Sequence, residues 1–423
     1  MQLLTAPIPT ANFLKLDSGL TVIHQYLSTT SVVVADVWVN AGAVREPKDW
    51  SGMAHFLEHM IFKGTAAISP GEFDRVIENN GGMTNAATSH DYAHYFLTTA
   101  TPYLADTLPY LADLLLNAAI PEDEFDRERD VVLEEIRSCY DDPDWIGFQA
   151  LSESVYQLHP YGRSVLGTTN NLLQHSAAAM RSFHRTYYQP ENMTVVVVGG
   201  VEEDQALELV SSTFERKNKL VIEPCDQEEV KLGEYLLAGI RRQEIKLPNL
   251  EQARLMMAWI GPGIDQFRHA YGLDLLSVVL AGGRSCRLVK ELREERQLVQ
   301  GINCDFSLQK ESSLFTITAW LDPQQLERVE FLIRTCLEEL QTKPICRSEL
   351  DRCKRLMCND YTFYTETPSQ IAGLYGYYSM IASPELALRY PQEVRSFQSE
   401  ELQLLARQYL SPSQYAVTVL KPC

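Results

Sequence analysis

The chain repeats itself, and that constrains its fold more than any single motif. EFDRERDVVLEE begins at Glu124 and ELDRCKRLMCND at Glu349; each reads Glu, apolar, Asp, Arg ahead of a helical pattern. TYYQPENMTVVVV and QYLSPSQYAVTVL each run from a helix end through a proline turn into a β-branched strand. Glu349 follows Glu124 by 225 residues and Pro412 follows Pro190 by 222. A duplicated unit of about 210 residues accounts for both offsets. The expected division is 1–220 and 241–423, joined by a linker at 221–240 in or beside the charged stretch ERKNKLVIEPCDQEEVKLGE (215–234). At 423 residues, two or more domains are expected in any case.

Within the first half, SVVVADVWVNAG (31–42) alternates as a strand does, and 83–99 reads as a second strand or hairpin. Helical patterns follow at 103–120 and 121–138; in the first, leucines 104, 108, 111 and 115 mark a core-facing stripe. Grouped strands and grouped helices predict an α+β fold with two homologous halves, each an antiparallel sheet packed with helices.

A formal net charge of −19 argues against nucleic acid or an anionic membrane as the main partner. No apolar run reaches membrane-spanning length, since Asp106 and Asp113 interrupt the longest candidate. The opening MQLLTAPIPTANFLKL lacks the basic start and apolar core of a secretory leader, and nine cysteines are scattered without a CxxC. Reduced thiols in a cytoplasmic compartment are expected, or in an organelle matrix if a transit peptide has been removed.

The chemistry concentrates in GMAHFLEHM, residues 52–60. On a helix capped by Ser51 and stopped at Gly64, His55 and His59 share one face a turn apart, and Glu58 lies on a neighbouring azimuth. Two imidazoles so placed can hold one metal ion, and a catalytic zinc needs a third protein ligand and an open position. PEDEFDRERDVVLEEIRS (121–138) is the best source of that ligand: Glu128 and Glu135 stand two turns apart beside the apolar set Phe125, Val132 and Ile136. Spacing alone does not separate Glu135 from Glu134.

HFLEH followed by ERDVVLEE, whose last Glu lies 76 residues after His59, resembles the inverted zinc motif of the M16 metallopeptidases. The resemblance extends over GMAHFLEHMIFKGT, ENNGGMTNAATSHDYAHY, HPYGRSVLG and 187–198 in the first half, and LAGGRSCRL and LREERQL in the second. It implies that His55, His59 and Glu135 bind one zinc per chain, and its offset selects Glu135. It also implies that Glu58 is the general base, that Glu128 is a carboxylate orienting the site, and that Asn85, Ala86 and Thr88 lie on a substrate-binding edge strand. His90 and His94 also stand four apart, but in a strand, where no second metal site is expected.

The second half carries nothing like HxxEH; His269 stands alone where the duplicate falls. In the family this half faces the zinc across an enclosed chamber and supplies an arginine and a tyrosine, seven apart, that bind substrate. Here Arg293 matches the arginine, and Gln300 stands in the tyrosine position. Some relatives divide these parts between two chains. The expectation is therefore a zinc endopeptidase acting on unfolded or extended peptides. It is expected to be the zinc-bearing subunit of a homodimer, or of a heterodimer with a homologous chain that carries the arginine–tyrosine pair. A non-catalytic scaffold subunit and a presequence-processing subunit are the alternatives.

Overall fold

The computed structural model describes residues 11–214, 237–248 and 250–423. The stretch 215–234, where the join between halves is expected, lies outside the described residues.

The first sheet holds β1 (Asn12–Lys15), β2 (Thr21–Tyr26), β3 (Val32–Val39), β4 (Met83–Thr88), β5 (Ala93–Ala100) and β6 (Met193–Gly199), in the order β1-β2-β6-β3-β5-β4. The second holds β7 (Ile240–Leu247), β8 (Ala253–Pro262), β9 (Val299–Leu308), β10 (Ser312–Leu321) and β11 (Tyr415–Pro422), in the order β7-β11-β8-β10-β9. Apart from β1, the two orders are the same. Each sheet is antiparallel except where its last strand inserts: β6 runs parallel to β2, and β11 parallel to β7. The duplication read from QPENMTVVVV and SPSQYAVTVL is thus a duplicated topology. MTVVVVG is buried at every position, which is why it reads as an unbroken valine run and not as an alternation.

The helices of the first half are α1 (Met53–Ile61), α2 (Glu72–Asn79), α3 (Leu104–Asn117), α4 (Glu122–Cys139), α5 (Pro143–Tyr156), α6 (Thr169–Gln174), α7 (Ala177–Tyr187) and α8 (Glu203–Phe214). Those of the second are α9 (Phe267–Ala281), α10 (Leu326–Thr342), α11 (Arg347–Phe363), α12 (Pro368–Ile381), α13 (Glu385–Ser396) and α14 (Ser399–Tyr409). The leucine stripe of α3 and the set Phe125, Val132 and Ile136 of α4 are buried, with α1, in one core against β2, β3, β5 and β6.

The compact units cut across the repeat. One draws its described residues from 11–137, 164–214 and 362–388, the other from 138–163, 237–361 and 389–423. Each half therefore lends a helix to the other unit: α12 packs on β3 and β6, and α5 on β8 and β11. Gly376 of α12 lies so close to the Trp38 indole that a Cβ there would overlap it. Among the described residues, no helix is long and apolar enough to cross a membrane.

Candidate metal centre

α1 starts one residue later than a Ser51 cap predicts. Its N-cap is Gly52, in the left-handed region at φ 88°, where a side chain would be strained and would collide with the Leu166 carbonyl. No side chain of the cap itself bonds the helix; instead the buried Glu46 carboxylate accepts from Gly52 N at 3.0 Å and Ala54 N at 2.7 Å. An acid at a helix N-terminus satisfies orphan donors and complements the helix dipole. Sequence reasoning missed Glu46, because it reaches back across a turn and has no capping-box spacing. α1 ends at Ile61 with Phe62 as its C-cap, short of the expected stop at Gly64, which adopts the left-handed backbone at φ 93°.

α1 turns His55 and His59 toward α4. His55 Nε2 lies 3.6 Å from Glu135 Oε1, and His59 Nε2 lies 3.4 Å from Glu135 Oε2. Ligands about 2.1 Å from a tetrahedral zinc stand roughly 3.4 Å from one another, so both histidine–Glu135 separations suit the ion. Among the described residues, His55, His59 and Glu135 form the one group of three whose candidate ligand atoms converge, all within 4.8 Å. Glu134 turns away, paired with Arg137 at 2.8 Å, so α4 presents Glu135 and not its neighbour.

The orientation of His59 is set from behind. Glu128 Oε1 lies 3.0 Å from His59 Nδ1, and Glu128 Oε2 lies 2.5 Å from Lys63 Nζ. An Nδ1–H donated to Glu128 leaves the Nε2 lone pair for a metal. Lys63 was not anticipated, although its place four residues after His59 was a usable signal. His55 Nδ1 is buried with no hydrogen-bond partner among the described residues.

Burial pushes His55 down to about 4, so its imidazole is neutral in the ordinary pH range. Burial also acts to lower His59, but the carboxylates of Glu128 and Glu135 outweigh it and raise the group to about 9. The His59 contact holds Glu135 below the usual carboxylate range. Glu128 is lowered as well: burial opposes this, and His59 and Lys63 prevail. Glu58 moves the other way, raised by burial, with the hydrogen bond from Thr88 opposing. Thr88 Oγ1 donates to Glu58 Oε2 at 2.5 Å.

Asn85, Ala86 and Thr88 lie on β4, the outermost strand of the first sheet among the described residues. Asn85 Oδ1 accepts from Ala86 N at 2.9 Å, so that N–H faces away from β5. His94 is a packing residue: Nδ1 contacts Asp36 Oδ1 at 3.1 Å, and its ring stacks on Trp38. In the second unit, Arg293 lies in a π-helical turn, Val289–Glu295, with its guanidinium on Glu294 at 2.7 Å; Gln300 is exposed near the start of β9. Arg284 and Arg287 are paired with Glu294 and Glu349.

Comparison with known proteins identifies the family and the fold. Residues 21–169 match the sequence model described as insulinase, peptidase family M16, and residues 175–357 match the one described as the peptidase M16 inactive domain. The chain is 29% identical over 422 residues to the zinc protease PqqE of Helicobacter pylori, covering 98% of this chain and 94% of that protein. It is 30% identical over 339 residues to an uncharacterized zinc protease of Mycobacterium leprae, covering 79% and 74%. Its fold is similar to the crystal structure of a protease from Helicobacter pylori, with a TM-score of 0.90 at 28% identity over 98% of this chain and 100% of that one. The periplasmic protease PqqL of Escherichia coli shares the fold alone, at a TM-score of 0.78 and 17% identity, with this chain covering 47% of its length. With both family models falling in order along it, the chain belongs to peptidase family M16.

Proposed function

We propose that the chain is a zinc-dependent endopeptidase that hydrolyses unfolded or extended peptides. The observation that carries this reading is the convergence of two imidazoles and one carboxylate beside a half-buried glutamate that is not among them. The names of the relatives, zinc proteases, support it.

In this reading His55, His59 and Glu135 hold one zinc ion, and Glu128, braced by Lys63, keeps His59 in the ligating tautomer. A zinc ion there supplies Lewis acidity toward water and a peptide carbonyl. Glu58 takes a proton from the attacking water and returns it to the leaving amine; its raised pKa makes it a better match to both tasks near neutral pH. The open edge of β4 receives the peptide as an added strand, through the outward-facing backbone of Ala86 with the Asn85 side chain beside it, and demands little of its sequence. Arg293 and Gln300 are the substrate-binding contribution of the second half, with Gln300 in place of the family's tyrosine.

The chain acts as the zinc-bearing member of a dimer that encloses its substrate, either of like chains or with a homologous chain carrying the arginine–tyrosine pair. Its halves are 1–220 and 241–423, joined at 221–240, and its compartment is a reducing, cytoplasm-like one in which the cysteines stay as thiols.

The test is metal content and turnover together. The purified chain is expected to hold one zinc by elemental mass spectrometry and to cleave an unstructured fluorogenic peptide. Glu58→Gln is expected to keep zinc and lose about 10²–10⁴-fold in kcat. Full turnover in that variant would sink the mechanism, and a chain that takes up no zinc is a non-catalytic scaffold.

A further inference from the structure

Thr88 ends β4, the strand on which the peptide is proposed to add. Its register partner is Ala93, as that of Ala86 is Tyr95 and that of Thr84 is Leu97. Those partners are buried on the sheet face packed by α1, so the Thr88 side chain faces α1, and Asn85 and Ala87 face the other way. At 2.5 Å its hydroxyl donates a charge-assisted bond to Glu58, at the short end for O–H to carboxylate.

Little else fixes that carboxylate. Glu58 lies one turn before the end of α1. The tyrosines buried nearby, Tyr95 and Tyr188, bond one another through their hydroxyls at 2.7 Å. The Thr88 hydroxyl is the hydrogen bond made to Glu58 among the described residues. A peptide paired along β4 is placed in register by the same backbone that carries Thr88. The base and the scissile carbonyl are then referenced to one strand.

We propose that Thr88 is a positioning residue: its hydroxyl holds Glu58 at the place where a peptide registered on β4 presents its carbonyl. This rests on the peptidase reading above, and it moves Thr88 from contact with substrate to control of the base.

Thr88→Val keeps the β-branched shape and the strand while deleting the hydroxyl; Thr88→Ser keeps the hydroxyl. With the zinc-loaded full chain, Thr88→Val is expected to lower kcat by about 10- to 100-fold with KM held within about twofold. Zinc content is expected to be unchanged, and Thr88→Ser to recover most of the rate. In a Glu58→Gln background, Thr88→Val is expected to cost less than about twofold, because the two act as a unit. A rise in KM at constant kcat would make Thr88 a substrate contact and overturn the inference. So would failure of serine to rescue, loss of zinc, or an equal loss in the Glu58→Gln background. Crystal structures supply a readout that needs no turnover: in Thr88→Val the Glu58 carboxylate is expected to leave its wild-type position, and its staying in place overturns the inference. A wild-type chain that binds zinc yet cleaves nothing, alone or mixed with a homologous chain carrying the arginine–tyrosine pair, overturns the peptidase reading and leaves that structural readout standing.

Discussion

His59 carries opposing demands. The carboxylates of Glu128 and Glu135 raise its pKa to about 9 in the metal-free chain, so at neutral pH it is protonated. A metal needs the neutral ring. His55, pushed down to about 4, is already neutral, and Glu135 is already ionised. Zinc uptake near pH 7.5 is therefore expected to release about one proton, and zinc affinity to strengthen with pH until about 9. Calorimetry in buffers of differing ionisation enthalpy reads this directly; zero proton release would contradict the assignment. The stability of the metal-free chain has the matching sign. A raised folded-state pKa stabilises fully below the unfolded value of 6.5, and that contribution is lost as pH rises through about 9. At this scale much was legible: an i, i+4 histidine pair is fixed by helical pitch, and the pitch equally pointed to Lys63. The choice between Glu134 and Glu135 was not legible from spacing, because the two lie only about 100° apart on α4.

The element that bears the site depends on a residue outside it. Glu46 binds two N–H groups at the start of α1, and a Glu46→Ala chain leaves both without that partner in a buried setting. The cost is expected to be about 1–3 kcal/mol by denaturant unfolding, with weaker zinc binding as the histidine pair loosens. Unchanged stability and zinc affinity would show that the cap is dispensable. A second element-scale prediction concerns α12. Gly376→Ala drives a methyl into the Trp38 indole and is expected to destabilise the chain by about 1–3 kcal/mol. Measured stability within experimental error of wild type would mean that α12 can slide on β3 and β6. Neither contact was readable in advance. Glu46 reaches its helix across a 3-10 turn, and Gly376 meets a tryptophan more than three hundred positions away.

For the whole molecule, the repeat is realised as two sheets that share one strand order apart from β1, and among the described residues the convergent histidine–glutamate group lies on helices of the first half. Gln300 can donate a hydrogen bond, but it stands where the family places a tyrosine. Where such a substrate-binding donor stabilises a developing oxyanion, its loss typically costs about 10²–10³-fold. The purified chain is therefore expected to turn over slowly and to gain about 10²-fold when combined with a homologous chain carrying the arginine–tyrosine pair. Peptide assays on the separate and mixed chains, with mass measured in solution, check this. Full activity of the chain alone would remove the need for a partner.

The sequence alone determined the α+β class, the duplication, the helical placement of His55, Glu58 and His59, and the helical reading of the acidic stretch 121–138. These follow from local periodicity: helical pitch, strand alternation and proline turns act over a few residues and leave their pattern in the chain. The tertiary structure alone decided which helix covers which sheet, and so exchanged α5 and α12 between the repeat halves. It also decided that Glu46 caps α1 and that Thr88 turns its hydroxyl onto Glu58. Those outcomes depend on packing between segments far apart in sequence, where the energy lies in contacts that no local pattern records.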